Sequence, residues 1–209
     1  MVIACVAIPE ERIDFLKGLG VKDSKLLSPS QREDIFKSLE HSVKHEIVII
    51  QPSEIDEAVN SQTTNLNWLE ADKAADILNK IDAKLDNDVK KAIVDCPSNN
   101  LLAYKAYFID KMDSREIELV VEHKADLNHL VVGAASIMAK VTRDREIEKI
   151  KRKYKIETGS GYPSDPSTQK FLKENWNSKV FSKYIRKSWA TYKALADMGK
   201  QKTMGEFDP

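Results

Sequence analysis

Two aspartates stand where a chain can hold a cation. Asp95 directly follows the apolar run Ala-Ile-Val, and Asp126 lies just after the strand-like stretch 117–121, in the sequence His-Lys-Ala-Asp. In open α/β sheets ligands bind just past the carboxyl ends of strands. Carboxylates on two neighbouring strand ends can share one divalent ion, with water and substrate phosphates completing its oxygen shell. The plainer reading of each aspartate is a cap on the turn after its strand. A different signal is Gly-Ser-Gly-Tyr-Pro-Ser-Asp-Pro at 159–166. Glycines before the aromatic and prolines after it fix a loop that presents Tyr162 in one orientation. A presented phenol stacks on a sugar or base and hydrogen-bonds a hydroxyl, whereas the alternative is a ring that simply packs inward. Basic side chains flank this loop. Between Lys140 and Lys155 there are eight Lys or Arg against three acids, and between Lys179 and Lys202 seven against one. Such runs are often plain solvated faces, but around a presented aromatic they suit a phosphate-lined groove.

The elements that position these residues follow from the hydrophobic pattern. Val2 to Ile8 reads as an apolar strand, followed by a short helix over 10–19 that Gly18 and Gly20 stop. Ser28 is an N-cap with Pro29 at the first helical position. Further strands are expected over 44–50, 91–94 and 117–121, and helices over 53–59, 67–85 and 130–154. The last third is helical and basic. This alternation predicts an α/β domain over 1–158, a loop and helical region over 159–200, and a tail over 201–209.

Composition removes several classes of function. With 209 residues, 42% apolar and 32% charged, the chain is an ordinary globular protein. Thirty-three basic and thirty-three acidic side chains cancel, so any affinity for a polyanion must come from a local patch. Cys5 and Cys96 are too few for a disulfide framework, which points to a reducing compartment, the cytoplasm. No apolar run approaches the ~20 residues of a membrane helix, and the first eight residues read as a strand rather than a signal-peptide core. The chain is expected to act as a monomer.

Four stretches, taken in order and spacing, resemble one family. They are Lys-Asp-Ser-Lys at 22–25, His-Lys-Ala-Asp at 123–126, the segment 134–144 that begins Ala-Ala-Ser-Ile-Met-Ala-Lys, and the loop at 159–166, with Arg-Lys-Ser-Trp-Ala-Thr at 186–191 in support. Together they resemble ribonuclease HII, especially its archaeal members. The resemblance implies a ribonuclease H-like mixed sheet flanked by helices with a helical C-terminal extension. It also implies an endonuclease that cuts the RNA strand of RNA–DNA hybrids and cuts at single ribonucleotides in duplex DNA, with Mg²⁺ or Mn²⁺. In that family four carboxylates gather the metal, and Asp95 and Asp126 match the third and fourth. Tyr162 matches the tyrosine at the RNA-to-DNA junction. Lys22, Ser24, Lys25, Lys124, Ser136, Lys140 and Arg143 fall in the substrate-facing stretches and are candidates for phosphate contacts.

The family begins with a strand carrying an Asp–Glu pair and a Gly-Arg-Gly turn, and Met1 to Ile8 instead matches its second strand. The first, central strand is therefore expected to be missing, a piece of roughly 15–20 residues. A chain without it is expected to cleave weakly, since two carboxylates position two ions less well than four. The rival readings are a non-catalytic hybrid-binding protein and an inactive fragment. In the tail, Gln201, Met204 and Phe207 have the spacing of peptides that plug into replication sliding clamps, with Asp208 where a second aromatic would stand. The alternative is an untethered polar tail.

Overall fold

β1 (Val2–Ala7) runs antiparallel to β2 (Lys44–Ile49), from Val2 opposite Ile49 to Ala7 opposite Lys44. These elements come from a computed structural model that describes residues 1–21 and 26–205, with side chains through Gly199. Lys22, Ser24, Lys25 and Phe207 lie outside the described residues. Gln201 and Met204 fall in a helix whose side chains there are likewise outside them.

A second pair of strands, β3 (Lys91–Asp95) and β4 (Glu118–Glu122), is parallel, with Asp95 opposite Glu122. Parallel neighbours require a crossover. It is made by α5 (Leu101–Lys111), which the sequence patterns above did not reveal. Asn100 caps α5, its side-chain oxygen accepting the Ala103 N–H at 3.0 Å. Tyr104 and Phe108, four residues apart, bury almost completely on one side of it.

The expected mixed sheet is present as its two halves. One pairing is antiparallel and one parallel, but among the described residues they do not join into one ladder. β1 bridges them through its side chains. Cys5 and Ala7 face a core built from α4 (Leu66–Lys84), α5, β3 and β4. Ala4, Val6 and Ile8 face a second core built from α1 (Ile13–Gly18), α2 (Pro29–Ser42) and α7 (Leu130–Tyr154). Because successive strand residues point to opposite faces, one apolar strand serves both layers. Two-stranded sheets are marginal alone, and here helices supply the missing burial. The first core is tightened by Trp68 stacked on Tyr107 at 4.4 Å and by the Tyr107 hydroxyl donating to Asp72 at 2.9 Å. An ion pair between Lys84 and Glu46 adds α4 to β2.

Local signals explain the helix starts. Ser28 and Gln31 form a reciprocal capping box ahead of α2, and Pro29 occupies its first turn. Gly133, Ala134, Ile137, Met138 and Val141 form the buried stripe of α7.

Contacts divide the chain into two compact units. One comprises Val2–Ile49 and Leu66–Arg143, and so holds all four strands. The other comprises Met1, Ile50–Asn65 and the chain from Asp144 onward. In the latter, α3 (Pro52–Asn60) precedes α8 (Pro166–Asn175) and α9 (Ala190–Gly205). Asp56 of α3 accepts the N–H groups of Lys187 and Ser188, both at 2.8 Å, which holds the segment leading into α9. Tyr154, Phe171, Phe181 and Tyr184 form an edge-to-face aromatic cluster with ring centroids 5.2–5.8 Å apart. Among the described residues no helix is long and apolar enough to cross a membrane.

Candidate active site

β3 and β4 end side by side, so the pleat that pairs Asp95 with Glu122 also sets the site's floor. Past β4, Lys124 adopts a left-handed conformation (φ 59°, ψ 35°) and turns the chain into α6 (Ala125–Asn128). That turn aims the Ala125 N–H at Asp95, whose Oδ1 accepts it at 3.0 Å. The contact spans 30 residues of sequence and brings the first turn of α6, with Asp126 in it, to the end of β3. Asp95 thus caps the turn after β4 rather than the one after its own strand, with only one of its oxygens committed. Asp95 Oδ2 makes no hydrogen bond among the described residues. The Asp126 carboxylate likewise has no hydrogen bond or ion pair among them.

The neighbours define what this edge can bind. Cys96 donates its thiol to the Ser98 carbonyl at 3.5 Å. Burial pushes that thiol's pKa up, the Ser98 contact pulls it down, and Asp95 adds to the rise. The Cys96 thiol is spent on that carbonyl, and the uncommitted donors that Asp95 and Asp126 offer at this edge are carboxylate oxygens. An all-oxygen set suits a hard cation such as Mg²⁺ or Mn²⁺. On that ground Asp95 and Asp126 fit a divalent metal. Among the described residues no cluster of three or more His, Cys, Asp or Glu is arranged to hold an ion.

Glu122 is a third acid at the same edge, and the sequence reading passed over it. It ends β4 as Asp95 ends β3, which is the signal that identifies it. Its Oε1 is already engaged by His129 Nε2 at 2.9 Å and Asn128 Nδ2 at 3.0 Å. His123 Nδ1 lies 3.1 Å from the Cys96 carbonyl. A carbonyl only accepts, so Nδ1 carries the proton and the imidazole orientation is set.

The remaining candidates fall into two places. Lys124 is exposed at the mouth of the α6 turn. Ser136, Lys140 and Arg143, at spacings of four and three, share one flank of α7 beside its buried stripe, each half-buried. Tyr162 belongs to the other unit, where it is 40% exposed on the loop between α7 and α8. Asp165 anchors that loop. The Ser160 hydroxyl first, then the Ser160 and Ser167 N–H groups, hold its carboxyl down at about 2. The two N–H contacts are 2.6 and 2.8 Å long.

Comparison with known proteins places this arrangement. The family profile of ribonuclease HII matches residues 1–192. A ribonuclease HII from Methanococcus maripaludis strain C6 is 41% identical over 196 residues, covering 93% of this chain and 80% of its own. The crystal structure of ribonuclease H2 from Pyrococcus horikoshii OT3 superposes with a TM-score of 0.76 at 35% identity, over 95% of this chain and 98% of that one. The ribonuclease HII in a PCNA complex from Archaeoglobus fulgidus superposes with a TM-score of 0.71 at 35% identity, over 88% and 81% of the two chains. The family profile over nearly the whole chain, the identity to archaeal relatives and the shared ribonuclease H-like α/β fold agree: the chain belongs to the ribonuclease HII family.

Proposed function

We propose that this chain hydrolyses the RNA strand of RNA–DNA hybrids, and cuts at ribonucleotides embedded in DNA, from the strand edge that carries Asp95 and Asp126. One observation supports the site above all. The Ala125 N–H held by Asp95 draws Asp126 to the end of β3 while leaving carboxylate oxygen uncommitted on both residues. Ribonucleases of this family use divalent metal ions, and these two residues would hold one. When bound, such an ion supplies a Lewis acid that activates water and neutralises charge on the scissile phosphate. Mg²⁺ and Mn²⁺ both suit the oxygen donors.

The other roles belong to the chain's own side chains. Lys124, Lys140 and Arg143 contact backbone phosphates, and Ser136 donates a hydroxyl from the same flank of α7. Lys22, Ser24 and Lys25 extend the same phosphate track. Tyr162 stacks at the step from RNA to DNA, where the 2′-hydroxyl distinguishes the two. The products carry 5′-phosphates. The test is metal-dependent cleavage of a labelled hybrid by the 209-residue chain beside its Asp95→Asn and Asp126→Asn variants. Loss of the rate in both variants supports this reading, and an unchanged rate in either overturns it. Hybrid binding without any cleavage would favour the non-catalytic alternative.

A clamp partner is the finer reading of the tail. The Archaeoglobus fulgidus relative was solved with PCNA, and Gln201, Met204 and Phe207 keep the spacing of a clamp-binding peptide. Tethering of this kind raises local concentration at the substrate without new catalytic contacts. Binding of a 195–209 peptide to a sliding clamp, lost with Met204→Ala or Phe207→Ala, is the expected result. Equal binding by all three peptides would refute it.

A further inference from the structure

The loop at 158–168 is held by more than its glycines and prolines. Thr168, on the first turn of α8, is 4% exposed. Its Oγ1 donates to the Thr158 carbonyl at 2.8 Å and accepts the Gly161 N–H at 2.9 Å. One hydroxyl thus closes both sides of the loop, and the second contact fixes the residue directly before Tyr162. On the far side, the Asp165 N–H donates to the Tyr162 carbonyl at 3.1 Å, closing a turn with Pro163 at its second position. Gln169 Nε2 donates to the Pro163 carbonyl at 2.8 Å. Gly159, with φ +65°, sits so close that a Cβ there would lie 2.7 Å from Asp165 Oδ2 and 2.8 Å from both Ser167 Cβ and Thr168 N. The backbone on either side of Tyr162 is therefore clamped, while the ring itself stays 40% exposed.

We infer that Thr168 and Asp165 are positioning residues that preset the Tyr162 loop for recognition of a ribonucleotide within a duplex. This rests on the proposed role of Tyr162 and extends it. An ordered loop spares the entropy of fixing an aromatic at the moment of binding, so its contribution is read in affinity and discrimination. The hydroxyl of Thr168 acts as donor and acceptor at once. Valine has its shape and does neither, leaving an amide and a carbonyl unpaired, whereas serine does both.

The test uses the full chain and two fluorescent duplexes of one sequence, one all-DNA and one with a single ribonucleotide. Anisotropy without metal gives the ratio of their dissociation constants. Tyr162→Ala is expected to lower that ratio about tenfold, within the range for a lost aromatic–base stack. Thr168→Val and Asp165→Asn are each expected to lower it severalfold, while Thr168→Ser stays within about twofold of the parent. In a Tyr162→Ala background, Thr168→Val is expected to change nothing further, a result that general destabilisation does not produce. An unchanged ratio in both Thr168→Val and Asp165→Asn, failure of Thr168→Ser to restore it, or full additivity with Tyr162→Ala overturns the inference alone. An unchanged ratio in Tyr162→Ala overturns the role of Tyr162 as well. If Thr168→Val fails to fold in a thermal melt, Asp165→Asn, at a half-buried loop position, carries the same comparison.

Discussion

Asp95 joins two functions that substitution can pull apart. Its Oδ1 accepts the N–H of Ala125, a residue with no solvent exposure, while its charge is proposed to serve the cation site. Asp95→Ala removes both, stranding a buried N–H, which costs about 1–3 kcal/mol. In a domain of this size each kcal/mol shifts the melting midpoint by about 2–4 °C, so a fall of about 2–12 °C is expected. Asp95→Asn keeps an oxygen where the N–H points and removes only the charge, so its midpoint should stay within about 2 °C of the parent. Cleavage of a labelled hybrid should be lost in both. Circular dichroism melts and a gel-based cleavage assay, run on the same preparations, decide the matter. Parent-like cleavage by Asp95→Asn would refute the metal-holding role. A parent-like melt of Asp95→Ala would refute the claim that this carboxylate draws α6 to the strand end.

Other parts of the molecule give independent expectations. Phe108, 1% exposed in the core under α5, should lose about 3–5 kcal/mol of stability on substitution by alanine, read as a lower urea midpoint with an unchanged slope. Burial, with a smaller contribution from Glu46 opposite it on β2, pushes the Cys5 thiol from 9.0 up to about 12. Its protonated form is favoured in the folded state, so this contribution to stability is complete below pH 9 and declines as pH rises towards 12. At pH 8.5, therefore, alkylation of Cys5 followed by mass spectrometry should be slow in the native chain and fast in urea. Equal rates would contradict the protonated, half-buried thiol.

How far the sequence reached depended on the range of the interaction. Apolar runs ending in Asp95 and in Val121 announced two strand ends, because strand periodicity and a terminal carboxylate are local signals. The helix over 130–154 was legible for the same reason, whereas Ser136, Lys140 and Arg143 were singled out by the family resemblance and their shared flank emerged with the structure. The motif at 159–166 announced a rigid loop. The helix α5 escaped notice because its apolar stripe is short, and only the parallel pairing of β3 with β4 makes its crossover necessary. Glu122 was hidden behind the better-marked Asp126.

Whether Asp95 is a cap or a ligand was open in the sequence, and the fold answers with one oxygen on Ala125 and the other uncommitted. The division of the strands into an antiparallel and a parallel pair, the hydroxyl of Thr168 reaching back to Thr158 and Gly161, and Asp56 holding Lys187 and Ser188 across more than 130 residues were likewise decided only in three dimensions. Periodicity records which face of an element is apolar, because burial acts on every turn or pleat alike. A single hydrogen bond between distant segments leaves no repeat in the chain, and so it becomes visible only once packing has brought its two ends together.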